Sequence, residues 1–199
     1  MPLAFPSTVV LDDFNRTDTS PMTGWNTPLS GALQASGATC DGTSAGFNLA
    51  IYSTAYSGNQ EAYATVTTKG ATGAVIAIGA MMKDDTSLAT LDGYQLAWTV
   101  VSGAANDTWS LERLTNGAAT VLVSGTSELN NADVIGIRVS DGIVTGYRNG
   151  TVLGSGADST YTGSGTLMLA FSDTAFRVDD FGGGIYIQGH NLSLLGVGG

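Results

Sequence analysis

The sequence predicts an all-β protein, a two-sheet antiparallel sandwich of the jelly-roll kind, and three observations point there. Apolar and polar residues alternate with a two-residue period along several short runs, as in strands with one buried face. The turn dipeptides Asn116-Gly117, Asp141-Gly142 and Asn149-Gly150 stand between such runs and suit the positive φ of two-residue hairpin loops. No segment carries a sustained, capped apolar period of 3.6 residues. In chain order the alternation predicts strands over residues 60–68, 74–82, 93–101, 108–114, 119–124, 134–140 and 166–171. The clearest is 93–101, where Tyr94, Leu96, Trp98 and Val100 share one face and Gln95, Ala97 and Thr99 the other. In 108–114, Trp109, Leu111 and Arg113 oppose Ser110 and Glu112. Many short strands joined by hairpins fit a sandwich or jelly roll.

Composition narrows the function. The 199 residues fit one domain or two small ones. Hydrophobic residues make up 43% and charged residues 12%, which favours a folded chain over a disordered one. The net charge of −10, with Lys69 and Lys83 the only lysines, argues against nucleic acid, whose phosphates need clustered cations. No window approaches the roughly 20 apolar residues that span a bilayer, so no membrane insertion is expected. Residues 1–11 lack the basic start and apolar stretch of a signal peptide. The Asn-x-Ser/Thr sequences at Asn15, Asn106, Asn149 and Asn191 are then chance matches. Cys40 stands alone, so neither an intrachain disulfide nor a cysteine zinc site can form.

Leu11-Asp12-Asp13-Phe14 near the start returns as Val178-Asp179-Asp180-Phe181 near the end. Such an echo suits first and last strands that share an environment as sheet neighbours. After Gly182-Gly183-Gly184 the chain is apolar and uncharged apart from His190. The expected organisation is an N-terminal arm over 1–10, a sandwich over 11–184 and a Gly-rich tail over 185–199, the two arms short and extended.

An ordered series of short motifs resembles the concanavalin A-like, laminin G-type jelly roll over roughly 11–184. It runs through Asp13-Phe14-Asn15-Arg16-Thr17-Asp18, Gly24-Trp25, Gly93-Tyr94-Gln95-Leu96 and Leu111-Glu112-Arg113-Leu114. It continues through Ile135-Gly136-Ile137-Arg138-Val139, Gly146-Tyr147-Arg148-Asn149-Gly150-Thr151 and Val178-Asp179-Asp180-Phe181. The resemblance implies a carbohydrate-binding module, a glycan hydrolase or lyase, or an adhesion domain. Gly/Ala/Thr-rich members without a signal peptide are similar to bacteriophage virion proteins.

Bond chemistry finds little support in the residues. Glycanases of this fold carry a Glu-x-Asp-x-Glu cluster on one strand, whereas Glu61, Glu112 and Glu128 are isolated here. A serine or cysteine nucleophile needs a base, and the single histidine, His190, lies in the tail. No catalytic residue is assigned and no cofactor is expected. Paired terminal strands would bring Asp12, Asp13, Asp179 and Asp180 together, with Asp18 nearby. An inward carboxylate among them needs a structural calcium, or hydrogen bonds, or Arg16 or Arg177. For sugar stacking, Trp109 and Tyr147 are the candidates, since Trp98, Tyr94 and Trp25 read as packing residues. For partners, Phe5 on the N-terminal arm and Ile185, Tyr186, Ile187, Leu192, Leu194 and Leu195 on the tail offer apolar anchors. The tail fits equally a last strand of the same domain or a frayed end.

The expectation is a non-enzymatic virion protein, a capsid-decoration or minor tail subunit made in a host cytoplasm. It would join other virion subunits or copies of itself through its termini. A carbohydrate-binding adhesin facing a cell-surface glycan is the alternative, and a glycan-cleaving enzyme the second.

Overall fold

The computed structural model describes residues 4–83, 86–103 and 106–187, which hold fourteen strands and no helix. In chain order these are β1 (Val10–Asp12), β2 (Leu33–Ser36), β3 (Thr39–Gly42), β4 (Asn48–Tyr56), β5 (Gln60–Thr68), β6 (Val75–Met82) and β7 (Gly93–Thr99). They continue with β8 (Thr108–Thr115), β9 (Ala118–Thr126), β10 (Val134–Ser140), β11 (Ile143–Arg148), β12 (Thr151–Ala157), β13 (Gly165–Phe171) and β14 (Arg177–Ile185). One sheet has the order β12-β11-β10-β5-β14-β3-β2, with β1 also paired to β14; the other runs β4-β13-β6-β7-β8-β9. Every pairing is antiparallel. The expected two-layer sandwich is the fold.

Each of the seven anticipated runs is a strand, and each anticipated dipeptide is a hairpin turn. Both central residues of each turn have positive φ: Asn116 49° and Gly117 73°, Asp141 51° and Gly142 76°, Asn149 50° and Gly150 77°. The alternation of 93–101 places Tyr94, Leu96 and Trp98 in the core between the sheets, with Ile76, Ile78, Leu169 and Phe171 of their own sheet and Ile135, Ile137 and Phe181 of the other.

Five strands escaped the sequence pattern. The first half of β4 is buried on both faces, because a second apolar layer forms on the far side of the six-stranded sheet. There Leu49, Ile51, Ala77, Met168 and Ala170 pack with Leu91, Leu29 and Leu88 from the loops. Burial on both faces erases the period-two signal. β12 is a Gly-rich edge, while β2 and β3 have four residues each; β11 hides between two hairpin turns.

The echo of the Asp-Asp-Phe runs has the expected cause. β1 lies antiparallel to β14, Val10 opposite Gly182 and Asp12 opposite Phe181.

The described parts of both ends pack on the sandwich. Residues 4–8 lie along the outer face of the eight-stranded sheet. Glu61, wholly buried on β5, receives four hydrogen bonds on Oε1: from the N–H groups of Ser7 (2.6 Å) and Thr8 (2.7 Å) and from their hydroxyls (3.0 and 2.9 Å). Its Oε2 accepts two more from Arg138 on β10, at 3.0 and 2.7 Å. The Arg138 guanidinium lies 3.8 Å from the ring centre of Tyr186, 5.2 Å from Tyr147 and 5.5 Å from Phe5, and it donates to the Ala4 carbonyl. Cations over aromatic faces are attracted to the ring quadrupole. Gly136 makes room for the arm, since a side chain there would press on the Phe5 ring and the Ala62 carbonyl. β14 then continues to Ile185, and Tyr186 folds back over the sheet. Phe5 and Tyr186, expected as anchors for a partner, are therefore 5% and 4% exposed within their own chain. A buried carboxylate and guanidinium need all the donors and rings that these two ends supply.

Candidate functional site

Where β1 meets β14, the backbone brings three carboxylates to the rim of an open cleft of about 780 Å³. Asp12 and Asp13 come from β1 and its following turn and Asp180 from β14; Arg16, Thr23 and Tyr52 complete the polar lining. Asp12 is the buried anchor. It accepts from both guanidinium nitrogens of Arg16 (2.6 and 2.9 Å), from Trp25 Nε1 (2.8 Å) and from the Phe14 N–H (2.9 Å). Phe14, at φ 48°, makes the sharp turn that allows this. Arg16 also donates to Asp18 (3.0 Å) and to the Thr23 carbonyl (3.2 Å), so one arginine ties β1 to the loop across the cleft. The Thr23 N–H and then Arg16 hold the Asp18 carboxyl down at about 2, and Asp12 pushes the Arg16 guanidinium up.

Asp13 is exposed and Asp180 half-buried. Tyr52, on β4, stands edge-on to Trp25 with ring centres 5.4 Å apart, leaving part of its ring toward the cleft. The cleft thus offers carboxylate acceptors, a fixed guanidinium and an aromatic ring in an open, polar setting. Tyr52 and Thr23 were not singled out from the sequence. Their place depends on the bridge of Trp25 to Tyr52, a contact between distant segments with no local signal.

The other anticipated residues lie elsewhere. Trp109 is 6% exposed, its ring against Gly125 and Gly154 inside the sandwich. Tyr147 is 9% exposed and stacked on Phe5 at 4.1 Å. Neither offers a free face to a sugar: the first is core, and the second belongs to the Arg138 cage. Ile185 and Ile187 are exposed; Leu192, Leu194 and Leu195 lie outside the described residues. Glu112, half-buried on the outer face of the six-stranded sheet, accepts from Gln95 and Ser110, each at 2.6 Å.

A calcium at the Asp12, Asp13, Asp179 and Asp180 cluster was the other use foreseen for these carboxylates. Among the described residues no three His, Cys, Asp or Glu side chains converge as an ion would require. Asp12, the inward one, is already bound by Arg16 and Trp25, and Arg177 pairs with Asp41 at 2.7 Å. Burial first, and then the charges of Asp180, Asp13 and Asp12, push the Asp179 carboxyl up. A raised folded-state value means that ionised Asp179 costs stability above the ordinary carboxylate range, and that the cost disappears below it. Asp179→Asn is therefore expected to raise the thermal midpoint at pH 7 and to leave it unchanged at pH 3. A lower midpoint at pH 7 would contradict this.

The charge inventory bears on ligands. All seven lysines and arginines are held: Arg16 by Asp12 and Asp18, Lys69 by Asp107 and Glu128, Arg113 by Asp158, Arg138 by Glu61, Arg148 by Asp133, Arg177 by Asp41, and Lys83 by the carbonyls of Thr162 and Ser164. Asp13, Asp141, Asp173, Asp179 and Asp180 form no ion pair among the described residues, so the exposed charge is anionic.

Sandwich, topology and rim cleft together define the class: a jelly roll of the galectin-like, concanavalin A-like kind. No protein-family model matches the chain, and no curated protein matches it in sequence. Solved structures do match in fold. The chain is similar to the carbohydrate-binding module CBM66 from Bacillus subtilis, with TM-score 0.62 and 16% identity, covering 81% of this chain and 96% of that one. It is similar to a Bacillus subtilis protein of unknown function with a galectin-like fold, with TM-score 0.67, 12% identity and coverage of 92% and 98%. It is also similar to the Bacillus licheniformis β-glucanase, with TM-score 0.57, 10% identity and coverage of 86% and 95%. At these identities the likeness is one of fold, and fold alone does not assign a function.

Proposed function

We propose that this chain is a carbohydrate-binding domain that holds a neutral glycan, without cleaving it, in the cleft between Asp13, Asp180, Arg16 and Tyr52. The carrying observation is the convergence of acceptors, a fixed donor and an aromatic ring in one open cleft. Sugar hydroxyls donate to carboxylates and accept from guanidinium, while ring C–H groups pack on aromatic faces. The likeness to CBM66 supports this reading. The carboxylates repel uronates and sulfated sugars, and every lysine and arginine is already held by an acceptor. Asp12 is tied by four donors, which unfits it for acid or nucleophile work. The isolated glutamates also leave the Glu-x-Asp-x-Glu cluster of glycanases of this fold without a counterpart in the sequence. The virion assembly implied by the sequence resemblance draws no support from the similar structures, which favour the glycan reading.

Calorimetric titration with neutral oligosaccharides (laminarin, levan and mannan fragments) and with anionic ones (polygalacturonate, hyaluronan) tests it. Binding is expected in the neutral set alone. Asp13→Ala/Asp180→Ala is expected to weaken it at least tenfold, from the loss of hydrogen bonds to charged groups worth about 1.5–3 kcal/mol each. Binding of the anionic set, an unaffected double variant, or release of new reducing ends from any glycan would each overturn the proposal.

A further inference from the structure

Eight large apolar side chains are exposed among the described residues, and four of them, Val9, Val10, Ile185 and Ile187, sit where the two chain ends leave the sheet. Beside them runs a groove of about 350 Å³ lined by Val9, Leu11, Tyr56, Gly183, Gly184 and Ile185. Gly184 keeps its floor low, since a side chain there would stand against the Tyr56 ring. β1, which forms one wall, is paired on one side only, to β14. An apolar groove beside an open strand edge fits an extended apolar segment, which gains both ladder hydrogen bonds and side-chain burial.

We propose that this groove receives the C-terminal segment, residues 188–199, of a second copy of the chain. That segment has no Asp, Glu, Lys or Arg and carries Leu192, Leu194, Leu195 and Val197. In a chain of net charge −10, such an uncharged apolar stretch approaches another copy without side-chain repulsion. The direction of the last described residues favours a neighbour's tail over the copy's own. The groove lies on the β1 side of β14. Tyr186, by contrast, hydrogen-bonds through its N–H to the Asn59 carbonyl (2.9 Å) and lays its ring over Arg138 of β10. At Tyr186 the chain therefore lies against β5 and β10, on the side of β14 away from the groove. Twelve extended residues reach about 40 Å, enough to cross to a neighbour. The glycan cleft opens beside the groove and needs no residue of the tail, so assembly and glycan binding are separable.

Analytical ultracentrifugation of the full chain at about 10–50 µM is expected to give at least twice the 20.2 kDa chain mass. The chain ending at Ile187 is expected to sediment as a single copy with unchanged circular dichroism and glycan affinity. Val9→Asp/Ile185→Asp in the full chain should do the same, and a synthetic peptide of residues 188–199 should bind the shortened chain but not its Val9→Asp/Ile185→Asp form. A full chain that sediments as one copy would overturn the proposal, as would one whose mass survives either change. If the groove variant fails to fold, the shortened chain and the peptide decide the matter: no peptide binding means that the groove is not the receptor.

Discussion

Glu61→Ala is expected to cost about 3–5 kcal/mol of folding free energy, the range for removing one partner of a buried ion pair. It removes the carboxylate partner of the Arg138 guanidinium and leaves the donors of Ser7 and Thr8 without their acceptor. Against a typical total of about 5–15 kcal/mol, that loss puts the variant near the threshold of folding. Urea denaturation at pH 7 measures it as a lowered midpoint. Burial pushes the Glu61 carboxyl up, but Arg138, Ser7 and Thr8 pull harder and leave it below its ordinary value. A depressed folded-state value gives stability that is present above the unfolded carboxylate pKa and lost as the pH falls through the folded one. The gap between wild type and variant should therefore narrow below about pH 4. Glu61→Leu/Arg138→Leu, which removes both charges, is expected to lose less than Glu61→Ala alone. A single variant within 1 kcal/mol of wild type would show that the terminal clasp adds nothing to stability.

The second large effect is expected at Asp12. Asp12→Ala removes the acceptor for Arg16, for the Trp25 indole and for the Phe14 N–H. Unsatisfied buried donors cost about 1–3 kcal/mol each, more when charged, so a loss of about 2–4 kcal/mol is expected after the exposed side of Arg16 rehydrates. Trp25→Phe, which gives up one hydrogen bond and puts a smaller ring in place of the buried indole, should lose at least about 1–2 kcal/mol. Because Asp12 fixes Arg16 and the loop at Thr23, the alanine variant should also abolish glycan binding while still folded at 15 °C. Unchanged glycan affinity in Asp12→Ala would break the link drawn here between anchor and cleft. Asp13→Ala separates the two roles: Asp13 is exposed and is held by the neighbouring Asn15, so stability should hold while affinity falls.

Much of the fold was legible because strand-and-turn grammar is local. Alternation in 93–101 names the face that meets the core, and Asn149-Gly150 demands a positive-φ turn whatever surrounds it. The neighbourhood of β1 and β14 was legible for another reason, since two segments that share one environment repeat one sequence. The cleft was half legible. Asp12, Asp13, Asp180 and Arg16 stood out as a cluster, but Tyr52 did not, because the first half of β4 is buried on both faces and carries no alternation. Trp109 and Tyr147 misled because a large ring reads the same in sequence whether it is core, cage or platform.

Sequence alone determined the alternating strands, the hairpins, the acidic balance and the pairing of the first and last strands, since each follows from backbone preference, side-chain period or composition. Tertiary structure alone decided what the ends and the rings do: Phe5 and Tyr186 close over Arg138 because Glu61, unremarkable in its own strand, is buried and must be neutralised. A residue's partners across 50 or more positions are set by burial and charge pairing in three dimensions, and no local pattern encodes them.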